Sequence, residues 1–194
     1  MGKISSKKNN SGKKEGPVSI GETDVEKNTE VNILFLGECG VGKSCIISQF
    51  VHGKIDPHCL DARTTAQFIK KEVSFPDKST LTLLLWDTPG QEKYRSMTKL
   101  FIKQAKVVIL VYDPTYKESF EELKEYWYDQ VRDSDSIIVV AANKCDLTEK
   151  KVEEEEGKKF ADSVGAIIAS ISAQKNIGIT DLFEKIEGAI KKKN

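Results

Sequence analysis

Long apolar runs are missing from this chain of 194 residues, and none approaches the length needed to cross a bilayer as a helix. A surplus of one charge is missing too. Lys plus Arg and Asp plus Glu both number 30, so the formal net charge is zero and there is no general nucleic-acid footprint. Paired cysteine spacings are absent: Cys39, Cys45, Cys59 and Cys145 show no CxxC pattern. That argues against a disulfide framework or zinc site and for reduced thiols in a cytosolic compartment. Acidic residues are absent before Glu15. What is present is an ordinary soluble composition, and 21.7 kDa is enough for one domain with a substantial core.

Residues 1–29 are polar, rich in Lys, Ser, Asn and Gly, and lack apolar periodicity, which predicts a disordered extension. Its start, Met1-Gly2-Lys3-Ile4-Ser5-Ser6, fits the myristoylation pattern, with Gly2 as acceptor. One acyl chain anchors only marginally, and Lys3, Lys7, Lys8, Lys13 and Lys14 supply a second signal toward anionic lipid. The folded domain is expected over 30–192, with 193–194 as a short tail.

From Val31 onward strands alternate with helices. Apolar runs at 31–36, 81–86, 107–112, 137–142 and 166–169 read as strands buried on both faces of a mostly parallel sheet. Helices are predicted near 42–52, 96–104, 116–132, 148–164 and 178–192. The runs 68–75 and 81–86 flank the turn-forming Pro76-Asp77-Lys78-Ser79, which predicts one antiparallel hairpin. The pattern is that of a doubly wound α/β domain, whose ligands sit beyond the carboxyl ends of the strands.

Four polar clusters fall at such strand ends. Gly37-Glu38-Cys39-Gly40-Val41-Gly42-Lys43-Ser44, followed by Cys45, matches G-x-x-x-x-G-K-[ST] between a strand and a helix. Its glycines let backbone N–H groups turn inward on a phosphate chain at a helix N-terminus. Lys43 would reach the β- and γ-phosphates and Ser44 would ligate Mg²⁺. Asp87-Thr88-Pro89-Gly90-Gln91 follows a strand as a Walker-B segment does. There Asp87 would hold Mg²⁺, Gly90 would offer its N–H to a terminal phosphate, and Gln91 would orient an attacking water. In Asn143-Lys144-Cys145-Asp146, Asp146 would accept from the N1–H and amino group of guanine, a donor pair that adenine lacks. Asn143 would tie this loop to the phosphate loop, and the stem of Lys144 would cover the base. Ser172-Ala173-Gln174 completes the set. Asp113 also ends a strand, and a capping or turn carboxylate before Pro114 is at least as good an account of it.

These motifs together resemble the small GTPases of the Ras superfamily, and most of all the Rab branch. Trp86 to Arg95 resembles the Rab second switch, and Val111 to Thr115 with Glu118-Ser119-Phe120 resembles its fourth strand and third helix. Ser172-Ala173-Gln174 is similar to the family's S-A-K loop, whose backbone contacts guanine. The resemblance implies a P-loop NTPase fold with six strands, one antiparallel edge hairpin and five helices. It also implies a monomeric GTP/GDP switch with Mg²⁺ that hydrolyses GTP slowly through Gln91 and Lys43. The partners implied are effectors, an exchange factor and a GTPase-activating protein, on the cytosolic face of traffic membranes.

Four departures matter. Aligned on Phe68, Arg63 falls in the slot of the first-switch Thr that ligates Mg²⁺, leaving Thr64, or Thr65 if the loop shifts, to serve. That departure supports a runner-up reading, a nucleotide-binding interaction module with impaired switching. Pro89 stands where Rab proteins usually have Ala and should stiffen the base of the second switch. Cys39 replaces a usual Gly or Ser with little expected disturbance. The ending Lys191-Lys192-Lys193-Asn194 carries no prenylated cysteines, and an anchor moved to Gly2 resembles the small group of N-myristoylated endosomal Rab proteins.

Overall fold

The apolar runs set the sheet. In this computed structural model, which describes residues 29–60, 65–74, 80–89 and 95–193, six strands lie in the order β2-β3-β1-β4-β5-β6. They are β1 (Thr29–Leu36), β2 (Gln67–Ser74), β3 (Thr80–Asp87), β4 (Val107–Tyr112), β5 (Ile137–Ala142) and β6 (Ile167–Ser170). All pairs are parallel except the edge pair β2–β3, as the turn between them predicts. β4, with six apolar or aromatic residues in a row, is buried at every position, whereas edge strand β2 is largely exposed.

Alternation along the strands separates two cores. Ile33, Phe35, Leu83, Leu85 and Ile109 face helices α1 (Lys43–His52) and α5 (Ile179–Lys193), meeting Ile46, Ile47, Leu182 and Phe183. Leu34, Leu36, Val108 and Leu110 face the other side, where Ile102, Phe120, Leu123, Trp127 and Ala161 pack. Those residues come from α2 (Arg95–Ile102), from α3 (117–131) and from α4 (Glu154–Ser163). Helix α3 runs through Lys117–Glu122, a π turn at Leu123–Trp127 and Tyr128–Val131.

One local reading is corrected. The helix predicted from Thr148 begins six residues later, at Glu154. The N–H groups of Lys151 and Val152 both donate to Pro114 O, at 2.7 and 3.0 Å, and Val152 is buried against the second core. That docking holds 148–153 out of helical geometry. The π turn within α3 has no periodicity signal in the sequence.

Register brings the strand ends to one edge. Phe35 pairs with Asp87, and Thr88 Oγ1 donates to Phe35 O at 2.6 Å. Asn143 N donates to Tyr112 O at 2.9 Å and Ile171 N to Ala142 O at 2.8 Å, so the loops after β1, β3, β5 and β6 meet above the same edge.

Two glycines test the packing in opposite directions. A Cβ on Gly157 of α4 would come within 2.2 Å of the hydroxyl of Tyr112, a fully buried ring held against Phe120. Gly188 of α5 has open space around it. Gly157→Ala should therefore cost about 1–3 kcal/mol, and Gly188→Ala should gain about 0.5–1 kcal/mol, both read by chemical denaturation.

Candidate functional site

The phosphate loop depends on glycine at two points. Gly37 has φ +141°, and a Cβ there would lie 2.2 Å from Val111 O; Gly42 has φ +99°, and a Cβ there would lie 2.3 Å from Asn143 Nδ2. Only glycine lets the loop approach β4 and lets Asn143 cross beneath it. Gly42 caps α1 with no side-chain hydrogen bond, and the first turn of the helix carries no acid. No capping side chain occupies this terminus, which leaves room for an external acceptor, and the helix dipole favours an anion.

Lys43 is buried, and its ammonium donates to Gly37 O at 2.8 Å and Glu38 O at 2.9 Å, closing the loop on itself. Burial lowers its pKa to about 8, against the opposing pull of Asp87, Cys39 and Glu38. Ser44 Oγ donates to Asp87 Oδ2 at 2.6 Å, which places two hard oxygens at the base of the loop. Among the described residues no group of three His, Cys, Asp or Glu is gathered. One hydroxyl and one carboxylate fit a metal that completes its octahedron with phosphate oxygens and water, as Mg²⁺ does.

Asn143 joins three loops. Its Nδ2 donates to Val41 O at 2.8 Å and its Oδ1 accepts from Ala173 N at 3.1 Å, so the phosphate loop, the Asn143–Asp146 loop and the Ser172–Gln174 loop are bound through one buried side chain. Lys144 lies in the left-handed region at φ 66°, and its ammonium pairs with Asp113 Oδ2 at 2.6 Å. Asp113 does what a turn carboxylate does, since its Oδ1 accepts from Thr115 N and Oγ1, and it anchors Lys144 as well. Asp146 Oδ1 is buried and accepts no hydrogen bond from the described residues. A buried carboxylate oxygen in that state is costly unless a ligand supplies donors. It borders a cleft of about 260 Å³ with Gly40, Gly42 and Gln174, and the half-exposed Leu147 stands at the rim. The glycine cradle, the uncapped helix and the unsatisfied carboxylate fit a phosphate chain at one end and a donor-bearing base at the other.

The model of the Ras family matches residues 32–192. The chain belongs to the Ras family. Within it the similarity runs to the Rab branch. Ras-related protein Rab-22A of Mus musculus is 36% identical over 165 residues, 83% of this chain and 84% of that protein, and its Homo sapiens counterpart is 35% identical over the same shares. Ras-related protein Rab-31 of Mus musculus is 33% identical, covering 83% of each chain. Ras-family members bind GTP and GDP with Mg²⁺ and hydrolyse GTP, and this Rab-branch chain does so with them.

The structure brings Gly37, Lys43, Ser44, Asp87, Asn143, Lys144, Asp146 and Ala173 to one edge, while Cys39 and Gln174 are exposed beside it. Thr65 is exposed; Arg63, Thr64, Gly90 and Gln91, like Gly2, lie outside the described residues. Three features had no signal in the motifs. Trp127, 89 residues from Glu38, donates from Nε1 to Glu38 Oε1 at 2.9 Å and holds that loop carboxylate toward α3. Asp113 has its pairing with Lys144. Phe68, Trp86 and Phe101 form a continuous aromatic row, with centroids 4.9 Å apart at each step, and Phe68 at its outer end is exposed. Phe101 reads from the sequence as one more apolar residue of α2.

Two outcomes follow for the site. A bound phosphate chain favours protonated Lys43, so binding takes up protons near pH 8. Above that pH the affinity for GDP should fall by up to tenfold per unit, read by calorimetry in buffers of differing ionisation enthalpy. Asp146→Asn offers a donor where guanine needs an acceptor; GDP affinity should drop at least about a hundredfold, while xanthosine diphosphate, which carries a carbonyl there, should gain.

Proposed function

We propose that this Rab-branch protein acts as a membrane-traffic switch that recruits effectors while GTP-bound and is reset by its own slow hydrolysis. The observation that carries the reading is the single edge at which a phosphate cradle, a Ser44–Asp87 oxygen pair and the unsatisfied Asp146 carboxylate are joined through Asn143. The family gives no support to the runner-up, an interaction module that does not switch.

The roles rest on the motifs, supported where residues are described by the geometry above. The N-terminus of α1 and Lys43 take the phosphates, and Lys43 offsets charge that shifts onto the β–γ bridge as the bond to the γ-phosphorus breaks. Ser44 and Asp87 would hold Mg²⁺, with Thr64, or Thr65, as a third ligand once GTP is bound, and the metal would supply charge neutralisation to the phosphates. Gly90 donates to the γ-phosphate. Gln91 accepts a hydrogen bond from water and aims it in line with the leaving diphosphate. The products are GDP and phosphate. Asp146 reads the guanine edge, and the Lys144 stem lies along the base. Full turnover calls for a charge-bearing residue from an activating protein.

The aromatic row Phe68–Trp86–Phe101 is the effector face. Strand β2 borders the first switch and α2 the second, so a partner seated on these rings contacts the elements that flank both switches. Trp86 is braced from beneath by its Nε1 donating to Asn32 Oδ1 at 2.8 Å, which keeps a rigid ring available for docking.

The finer localisation rests on residues outside the described ones. Gly2 takes a myristoyl group, the five lysines that follow strengthen attachment to anionic lipid, and the protein works as a monomer on the cytosolic face of endosomal membranes. No helix among the described residues is long and apolar enough to cross a bilayer, and this anchor needs none.

Single-turnover hydrolysis tests the switch. The wild type should turn over at about 10⁻⁴–10⁻² s⁻¹ alone and faster with an activating protein; Gln91→Leu should bind GTP equally and hydrolyse it at least about tenfold more slowly. A wild-type rate no faster than the variant's, even with activator, removes the hydrolysing reading. Separately, Gly2→Ala should abolish both myristate incorporation, read by intact mass, and sedimentation with anionic vesicles.

A further inference from the structure

Two thiols meet beside the nucleotide site. Cys45 lies in the first turn of α1, one residue beyond Ser44, and Cys59 lies in the 3₁₀ turn Pro57–Leu60. Both are buried, and their sulfurs stand 3.0 Å apart. The approach is built by Ser48, one turn further along α1. Its Oγ donates to Lys54 O and accepts from Asp56 N, each at 2.9 Å. Asp56 then accepts from His58 N through its carboxylate and from Cys59 N through its carbonyl, again at 2.9 Å. These bonds fold 54–59 back along the helix and deliver Cys59 onto Cys45. A move of about 1 Å separates the two sulfurs from disulfide bond length.

We propose that Cys45 and Cys59 form an oxidisable dithiol whose disulfide fastens the root of the first switch to α1 and slows release of the bound nucleotide. The oxidant is a low-molecular-weight disulfide. The two thiols are buried to the same degree, so either can open the exchange; the steps that start from Cys59 hold equally with the sulfurs interchanged. The Cys59 sulfur attacks one sulfur of the small disulfide, whose S–S bond breaks and releases one thiolate. The Cys45 sulfur then attacks the Cys59 sulfur of the mixed disulfide and expels the second small thiolate. Two electrons pass from the protein thiols to the small disulfide, and the two protons they lose end on the two departing thiolates.

The position of the bridge gives it leverage. Cys45 borders the same cleft as Asn143 and Asp146, and Cys59 stands six residues before Thr65, at the entry to the stretch that carries Arg63 and Thr64. A nucleotide seated at the N-terminus of α1 leaves only when the chain around it opens. A covalent bond between α1 and residue 59 removes the freedom of that opening at its anchored end. The effect on release rests on the guanine-nucleotide reading; the bridge itself does not.

The test uses the full chain loaded with GDP, with and without oxidised glutathione. Non-reducing peptide mapping and the rate of GDP release are followed together, for wild type, Cys59→Ser and Cys59→Ala. The expected result is a cross-linked Cys45–Cys59 peptide pair, release at least threefold slower, full reversal by dithiothreitol, and no response in either variant, both of which keep the reduced wild-type rate. Glutathione mapped only to Cys39 or Cys145 overturns the proposal, as does a bridged protein that releases GDP at the reduced rate. A chain that fails to retain GDP would overturn the nucleotide reading instead, and the peptide map would still decide the bridge.

Discussion

Everything at the nucleotide edge hangs on one buried amide. Asn143 gives a hydrogen bond to the phosphate loop through Val41 O and takes one from the Ser172–Gln174 loop through Ala173 N. Each bond contributes about 1 kcal/mol net, but losing the amide would strand two buried backbone groups at about 1–3 kcal/mol apiece. The neighbouring constraints answer to it. Gly42 has no side chain because Asn143 Nδ2 occupies the space where a Cβ would be, and Asn143 N, paired with Tyr112 O, seats the amide at the end of β5. Through this one residue the spacing between the phosphate end and the guanine end is fixed, so a ligand is measured as well as gripped.

The same edge stores electrostatic cost that a ligand relieves. Lys43 is buried enough to lose part of its preference for charge, Lys144 sits in the left-handed region with its ammonium on Asp113, and Asp146 keeps a buried oxygen without a donor among the described residues. Guanine nucleotide answers the first and last of these, with phosphate charge at one end and two N–H donors at the other. On the proposed reading, specificity comes from the cost of leaving Asp146 unsatisfied, which adenine, with no such donor pair, would not relieve.

Much of this was legible in the chain because the signals are local. A continuous apolar strand, a glycine loop and a helix at fixed spacing place Lys43 and Ser44, and the strand-end rule places Asp87, Asn143 and Asp146 at one edge. The antiparallel β2–β3 edge followed from the turn cluster between its strands. What escaped notice was tertiary. Nothing in spacing pairs Trp127 with Glu38 or Cys59 with Cys45, because Ser48 and the π turn of α3 bring them together only once the chain is folded. The late start of α4 had the same cause: Pro114 O competes for N–H groups that a helix from Thr148 would have used. Periodicity reports which face is apolar, not which carbonyl wins a donor.

The most direct measurement of the central claim is the GDP dissociation rate of Asn143→Ala beside wild type, each with Mg²⁺ and with EDTA. The account predicts slow release from wild type with Mg²⁺ and faster release with EDTA. In the variant, release should be at least about tenfold faster under both conditions, because the loops it uncouples hold the base and the phosphates jointly. An Asn143→Ala protein that folds and releases GDP at the wild-type rate would contradict it, since the phosphate and guanine loops would then be holding the nucleotide independently of the bond between them.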